Sequence, residues 1–119
     1  MAKRTLTEQE QELIQKLHGE HGEVAVFPAG NEGLFIVKKP DQFAFQRLQD
    51  GRARALMPAA KNPVSLNSTE REYVLTCCVY PENKQERPKI LDKYPAMVST
   101  ITGRLNEMAG DDIEELSGN

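Results

Sequence analysis

Val24-Ala25-Val26-Phe27, then Pro28-Ala29-Gly30-Asn31-Glu32-Gly33, then Leu34-Phe35-Ile36-Val37: the reading of this stretch decides the fold. The two flanking runs are rich in β-branched and aromatic side chains, and the Pro, Gly and Asn between them supply turn dihedrals. Two β-prone runs joined in this way predict an antiparallel hairpin. Pro40 ends the second strand. A lone hairpin is marginal in water, so helices or another subunit's strands must cover it. That dependence is a first pointer to a role in assembly.

Working outward, the flanks read as helices. Thr7-Glu8-Gln9-Glu10 has the form of a capping box, and Leu13, Ile14 and Leu17 follow as one apolar stripe, with Gly19 or Gly22 as the stop. On the other side, Asp41 to Gln49 reads as a helix burying Ala44, Phe45 and Leu48, ended by Asp50-Gly51. Arg52 to Leu66 contains Pro58 and Pro63 and reads as a long loop, of a length usually kept for contacts or mobility. Asn67-Ser68-Thr69-Glu70 restarts helical structure, with Tyr73, Val74, Cys77 and Cys78 as its buried stripe and Tyr80-Pro81 as its close. Pro88 suits the first turn of a helix that runs to Lys93 and buries Ile90 and Leu91. Pro95 begins a last helix in which Met97, Val98, Ile101, Leu105 and Met108 recur at three- and four-residue intervals, until Ala109-Gly110. The expected fold class is α+β and mostly helical, a β-hairpin packed among four to five helices. One globular domain is expected over 1–110, followed by an acidic flexible tail over 111–119 that carries Asp111, Asp112, Glu114 and Glu115.

The whole chain has 119 residues, 39% hydrophobic and 28% charged, with a net charge of −3. These values suit one soluble domain and give no global excess of positive charge for nucleic acid. No apolar run reaches the roughly 20 residues of a membrane-spanning helix. Met1-Ala2-Lys3-Arg4 is followed by Glu8, Glu10 and Glu12 in place of an apolar signal segment. An intracellular protein is therefore expected. Cys77 and Cys78 are adjacent, so a disulfide between them would be strained and close a trivial loop; they read as reduced core thiols.

Catalytic chemistry has no foothold in this sequence. It contains no nucleophile elbow, no glycine-rich phosphate loop and no helical zinc motif. His18 and His21 are the two histidines, too few for a zinc site without further ligands, and they read as exposed turn residues. No enzyme activity, cofactor or metal is expected. Charge is uneven, however. Residues 34–61 hold Lys38, Lys39, Arg47, Arg52, Arg54 and Lys61 against Asp41 and Asp50. Such a segment suits an acidic protein, including the acidic tail of another copy, or phosphates. With no aromatic interleaving and no nucleic-acid motif, a solvated basic face or a patch for an acidic protein is preferred to nucleic acid.

Three motifs in order carry a family resemblance: Phe35-Ile36-Val37-Lys38-Lys39-Pro40, then Cys78-Val79-Tyr80-Pro81, then Leu91-Asp92-Lys93-Tyr94-Pro95 leading into a helix that ends at Ala109-Gly110. In that order and at this length the chain resembles small phage and prophage morphogenesis proteins related to tail assembly chaperones, over roughly residues 33–110. The resemblance implies a non-catalytic protein in the cytoplasm of an infected or lysogenic bacterial host. It would bind the tape measure protein or another morphogenesis partner, keep it soluble, and self-associate into oligomers. The alternative is a small adaptor that binds nucleic acid or an acidic protein through the basic 38–61 segment. For partner binding, the candidates are Met97, Ile101, Leu105 and Met108 on the last helix, with Met97 and Met108 expected to be partly exposed, and Arg52 and Arg54 in the basic segment.

Overall fold

The computed structural model describes residues 5–30, 33–57 and 66–110. Its elements are α1 (Glu8–His21), β1 (Val24–Pro28), β2 (Leu34–Lys38), α2 (Gln42–Ala55), α3 (Leu66–Cys77), β3 (Cys78–Tyr80), α4 (Glu86–Lys93) and α5 (Ala96–Met108). The architecture is α+β and mostly helical, as the sequence predicts. The expected tail at 111–119 lies outside the described residues.

The hairpin forms in the register its alternation demands. β1 and β2 pair antiparallel from Val24 opposite Lys38 to Pro28 opposite Leu34. The Ala29 N–H donates to the Gly33 carbonyl at 2.9 Å inside the turn, and the Lys39 N–H donates to the Glu23 carbonyl at 3.0 Å beyond the far end. β2 is the middle of three strands. All four residues of its Leu34-Phe35-Ile36-Val37 run are buried, because both faces of the sheet are covered. Phe35 and Val37 share one face with Ala25 and pack on the helices that follow. Leu34 and Ile36 share the other with Leu17, and Leu13 and Ile14 of α1 close over them. The molecule is thus a small sheet between a single helix and a four-helix layer.

Helix ends follow local chemistry. Thr7 caps α1 by accepting from the Glu10 N–H at 3.1 Å, while the Glu10 carboxylate accepts from the Thr7 N–H at 3.0 Å. The helix passes through Gly19 and stops at Gly22, whose φ of 81° suits glycine. His18 and His21 therefore lie on the helix, not in a turn. Asp41 caps α2 by accepting from the Ala44 N–H at 2.7 Å.

Three boundaries differ from expectation. α2 does not stop at Asp50-Gly51 but continues to Ala55, with Gly51 set so close against Thr69 of α3 that a Cβ there would collide with it. Of the expected Arg52–Leu66 loop, residues 58–65 lie outside the described residues, while Arg52–Ala55 is helical and Leu66 opens α3. The third strand was not expected. Tyr73, Val74, Cys77 and Cys78 are all buried, but Cys78 belongs to β3, which pairs antiparallel with β2 through Ile36 opposite Tyr80 and Val37 opposite Cys78, with a bulge between. An open edge of β2 offers Cys78-Val79-Tyr80 backbone partners that a helical continuation could not use.

α3 lies at the centre of the helical layer, packed on α2, α4, α5 and β2. Arg71 ties it to α4, donating to the Pro88 carbonyl at 3.2 Å and pairing with Asp92 at 2.9 Å.

Candidate functional site

The apolar stripe of the last helix is a candidate partner face as well as a pattern usual for a core, and the structure places most of it in the core. Ile101 and Leu105 are fully buried and Met108 is 6% exposed, all in the main core with Val98. Only Met97 is partly accessible, packed on the edge of that core. The stripe is consumed internally because α3 lies along it. Ile101, Leu105 and Met108 are therefore not surface residues of the folded chain, and Met108 is not partly exposed.

Exposed apolar side chains gather instead on the α2–α3 hairpin. Phe43 is 72% exposed, Leu56 81%, Met57 60% and Leu66 48%. In a helix that buries Ala44 and Leu48, Phe43 is forced outward, since it sits about 100° away from Ala44 around the axis. Phe43, Arg47, Asp50 and Arg54 recur at intervals of three and four residues and share one outward face of α2, and Met57 follows just beyond the helix end. Leu56, Met57 and Leu66 lie at the hairpin's tip, flanking residues 58–65.

Between the two helices runs a groove of about 240 Å³, lined among others by Arg47, Gly51 and Arg54 of α2 and Thr69, Glu72 and Thr76 of α3. Its seam is pinned at three points. Arg47 pairs with Glu72 across the exposed rim, Arg52 pairs with Glu70 at 3.3 Å in a half-buried position, and Gly51 abuts the Thr69 side chain. The Arg47 guanidinium also stands 6.0 Å from the centroid of the Phe43 ring.

These pairings reassign the basic segment. Arg52, expected to meet a partner, is engaged by Glu70 within the chain. Arg54, also expected there, is exposed and makes no ion pair among the described residues. Lys38 is the last residue of β2. The site therefore offers apolar side chains at either end of α2 and a guanidinium between them. Of its members, Arg54 was legible in the sequence. Phe43, Leu56, Met57 and Leu66 were missed, though the phase of Phe43 against Ala44 and Leu48 was a signal that could have found it.

The thiols are unsuited to chemistry. Cys77 and Cys78 are buried and unpaired with each other. Burial pushes Cys77 up to about 12 and Cys78 up to about 11, against the smaller opposing pull of Lys38 and Arg87 respectively. Among the described residues no three His, Cys, Asp or Glu side chains converge as a metal site, and no helix is long and apolar enough to cross a membrane. No protein-family model, curated protein or solved structure matches the chain.

Proposed function

We propose that the protein is a non-catalytic binding protein that receives an amphipathic helix of a partner along the outward face of α2 and the tip of the α2–α3 hairpin. The observation that carries this reading is the concentration of Phe43, Leu56, Met57 and Leu66 on one hairpin, with Arg54 between the apolar ends. Helix-in-groove recognition uses this kind of surface: apolar anchors a few turns apart, and a charge that sets register. The occupant it suits carries apolar side chains on one face and an acid placed to meet Arg54.

The resemblance to tail assembly chaperones gives that occupant a class. A tape measure protein is a long helical client, and a small protein that covers its apolar face would keep it soluble until tail-tube subunits replace it. Shallow, numerous contacts suit such reversible coating better than a deep anchor. Action in the bacterial cytoplasm and self-association belong to the same proposal. The exposed edge of β1 is one place where a second copy could add. The alternative, an adaptor for nucleic acid through residues 38–61, is weakened because Glu72 and Glu70 already engage Arg47 and Arg52.

Co-expression with a helical segment of a phage tape measure protein tests the proposal. The wild-type chain should hold the segment in the soluble fraction and co-purify with it. The double variant Leu56→Asp, Met57→Asp should stay folded by circular dichroism and lose both effects. No co-purification with the wild type, or full retention by the double variant, would overturn the reading.

A further inference from the structure

We propose that a second site, a basic depression formed by His21, Lys38, Lys84 and Arg87, binds the phosphoryl group of a small phosphorylated ligand. It shares Thr76 with the α2–α3 groove, but its four charged or ionisable residues lie outside that groove, and the proposal does not depend on the function proposed above. Its four cationic or ionisable side chains come from four places in the chain: the last turn of α1, the end of β2, the turn after β3, and α4. Only the tertiary fold brings them together. The depression is shallow and open to solvent, with a volume of about 430 Å³.

None of the side chains lining the depression is acidic. Lys38, Lys84 and Arg87 make no ion pair among the described residues, whereas Arg47, Arg52, Arg71, Lys89 and Arg104 all do. His21 has an acid at hand, with Glu20 Oε2 3.7 Å from its Nε2. Holding three like charges in one small area is unfavourable unless an anion joins them. A phosphoryl dianion offsets that repulsion better than a single carboxylate, and it offers three oxygens to donors arriving from different directions.

Arg87 is the positioned member of the set. Its Nε donates to the Pro81 carbonyl at 2.7 Å, which holds the guanidinium at the depression and leaves its two terminal nitrogens outside any ion pair among the described residues. That is the arrangement in which arginine grips an oxyanion with two parallel hydrogen bonds. Lys38 and Lys84 supply mobile point charges around it. Leu75 and Val79, half-buried beside them, provide apolar surface for the organic part of a phosphate ester.

The test is a chemical-shift titration of the full chain at constant ionic strength, with inorganic phosphate and adenosine 5′-monophosphate as probes. The expected result is saturable binding that shifts the amides of Lys38, Lys84 and Arg87. Comparable affinity for both probes would show that the phosphoryl group alone is recognised. Tighter binding of the nucleotide would show that the Leu75–Val79 surface takes part. Either result supports the site. Lys84→Gln and Lys38→Gln should each weaken binding about tenfold, the loss of one charge-assisted hydrogen bond. Lys89→Gln, on α4 but outside the depression, should leave it unchanged. Arg87→Lys should weaken binding more than either lysine variant, with circular dichroism to confirm its fold. No saturable binding of either probe, or an equal loss in Lys89→Gln, would overturn the proposal.

Discussion

Gly51 and Thr69 show how one side chain's absence sets the distance between two helices. A Cβ on Gly51 would collide with Cγ2 and Oγ1 of Thr69, itself buried on α3. In an exposed helix, Gly→Ala stabilises by about 1 kcal/mol. Here the sign should reverse: Gly51→Ala should cost about 1–3 kcal/mol in denaturant unfolding, as overpacking does. Adding Thr69→Ser, which removes the nearer of the two atoms, should recover part of the loss. The two thiols make a second prediction at this scale. Both have folded-state values raised above the ordinary 9.0, to about 12 for Cys77 and about 11 for Cys78. Between 9 and 11 the unfolded chain has therefore lost thiol protons that the folded chain still holds. The stability is fully present below pH 9 and falls as the pH rises toward 11–12, by about 1.4 kcal/mol per pH unit for each thiol. Urea unfolding between pH 8 and 11 should show a steeper decline for the wild type than for the Cys77→Ala, Cys78→Ala double variant. Thiol labelling of the native protein should be slow, and Cys77→Ser should cost about 1–3 kcal/mol where the hydroxyl finds no partner.

At the scale of elements, α2 and α5 are opposites despite similar apolar content. α5 turns its stripe inward against α3, whereas α2 spends Ala44 and Leu48 on the core and leaves Phe43 outside. An aspartate should separate them. Met108→Asp places a charge in the main core and should cost several kcal/mol, about the largest class of single-residue effect, seen as loss of cooperative unfolding. Phe43→Asp should change stability by about 0.5 kcal/mol or less while weakening any helix that docks on α2. A folded, fully stable Met108→Asp protein would show that α5 is not packed as described.

For the whole molecule, the decisive feature is that β2 is covered on both faces by unequal partners: four helices on one side and α1 alone on the other. Leu13, Ile14 and Leu17 are the helical cover for Leu34 and Ile36. A chain lacking residues 1–22 should expose that face and the neighbouring β1 edge together, a combination that favours edge-to-edge association. Light scattering should show large aggregates for the truncated chain under conditions where the full chain elutes as a discrete species. A truncated chain that remains discrete and equally stable would mean that α1 is dispensable. The same measurement on the full chain, at low and high salt, tests self-association: an oligomer held by apolar contacts persists at high salt, and one held by charges dissociates.

By itself the sequence determined what depends on neighbours along the chain. The Thr7–Glu10 capping box, the pairing of the Val24–Phe27 and Leu34–Val37 runs, the Asp41 helix start and the apolar period of residues 97–108 are local patterns, and each forms where the residues say. Tertiary structure decided what depends on partners distant in sequence. Cys78-Val79-Tyr80 becomes a strand where β2 has an edge to offer, and α2 runs on through Gly51, where the missing Cβ lets Thr69 of α3 come close. The partner face followed the same rule. An amphipathic stripe has one apolar side whether a neighbour covers it or not, so the pattern of Met97 to Met108 could not say that α3 fills it. Nor could it say that Phe43, Leu56 and Met57 would be left in water. The basic depression is the extreme case, since His21, Lys38, Lys84 and Arg87 share no pattern along the chain and meet only because folding the sheet between its two helical layers brings their elements to one corner.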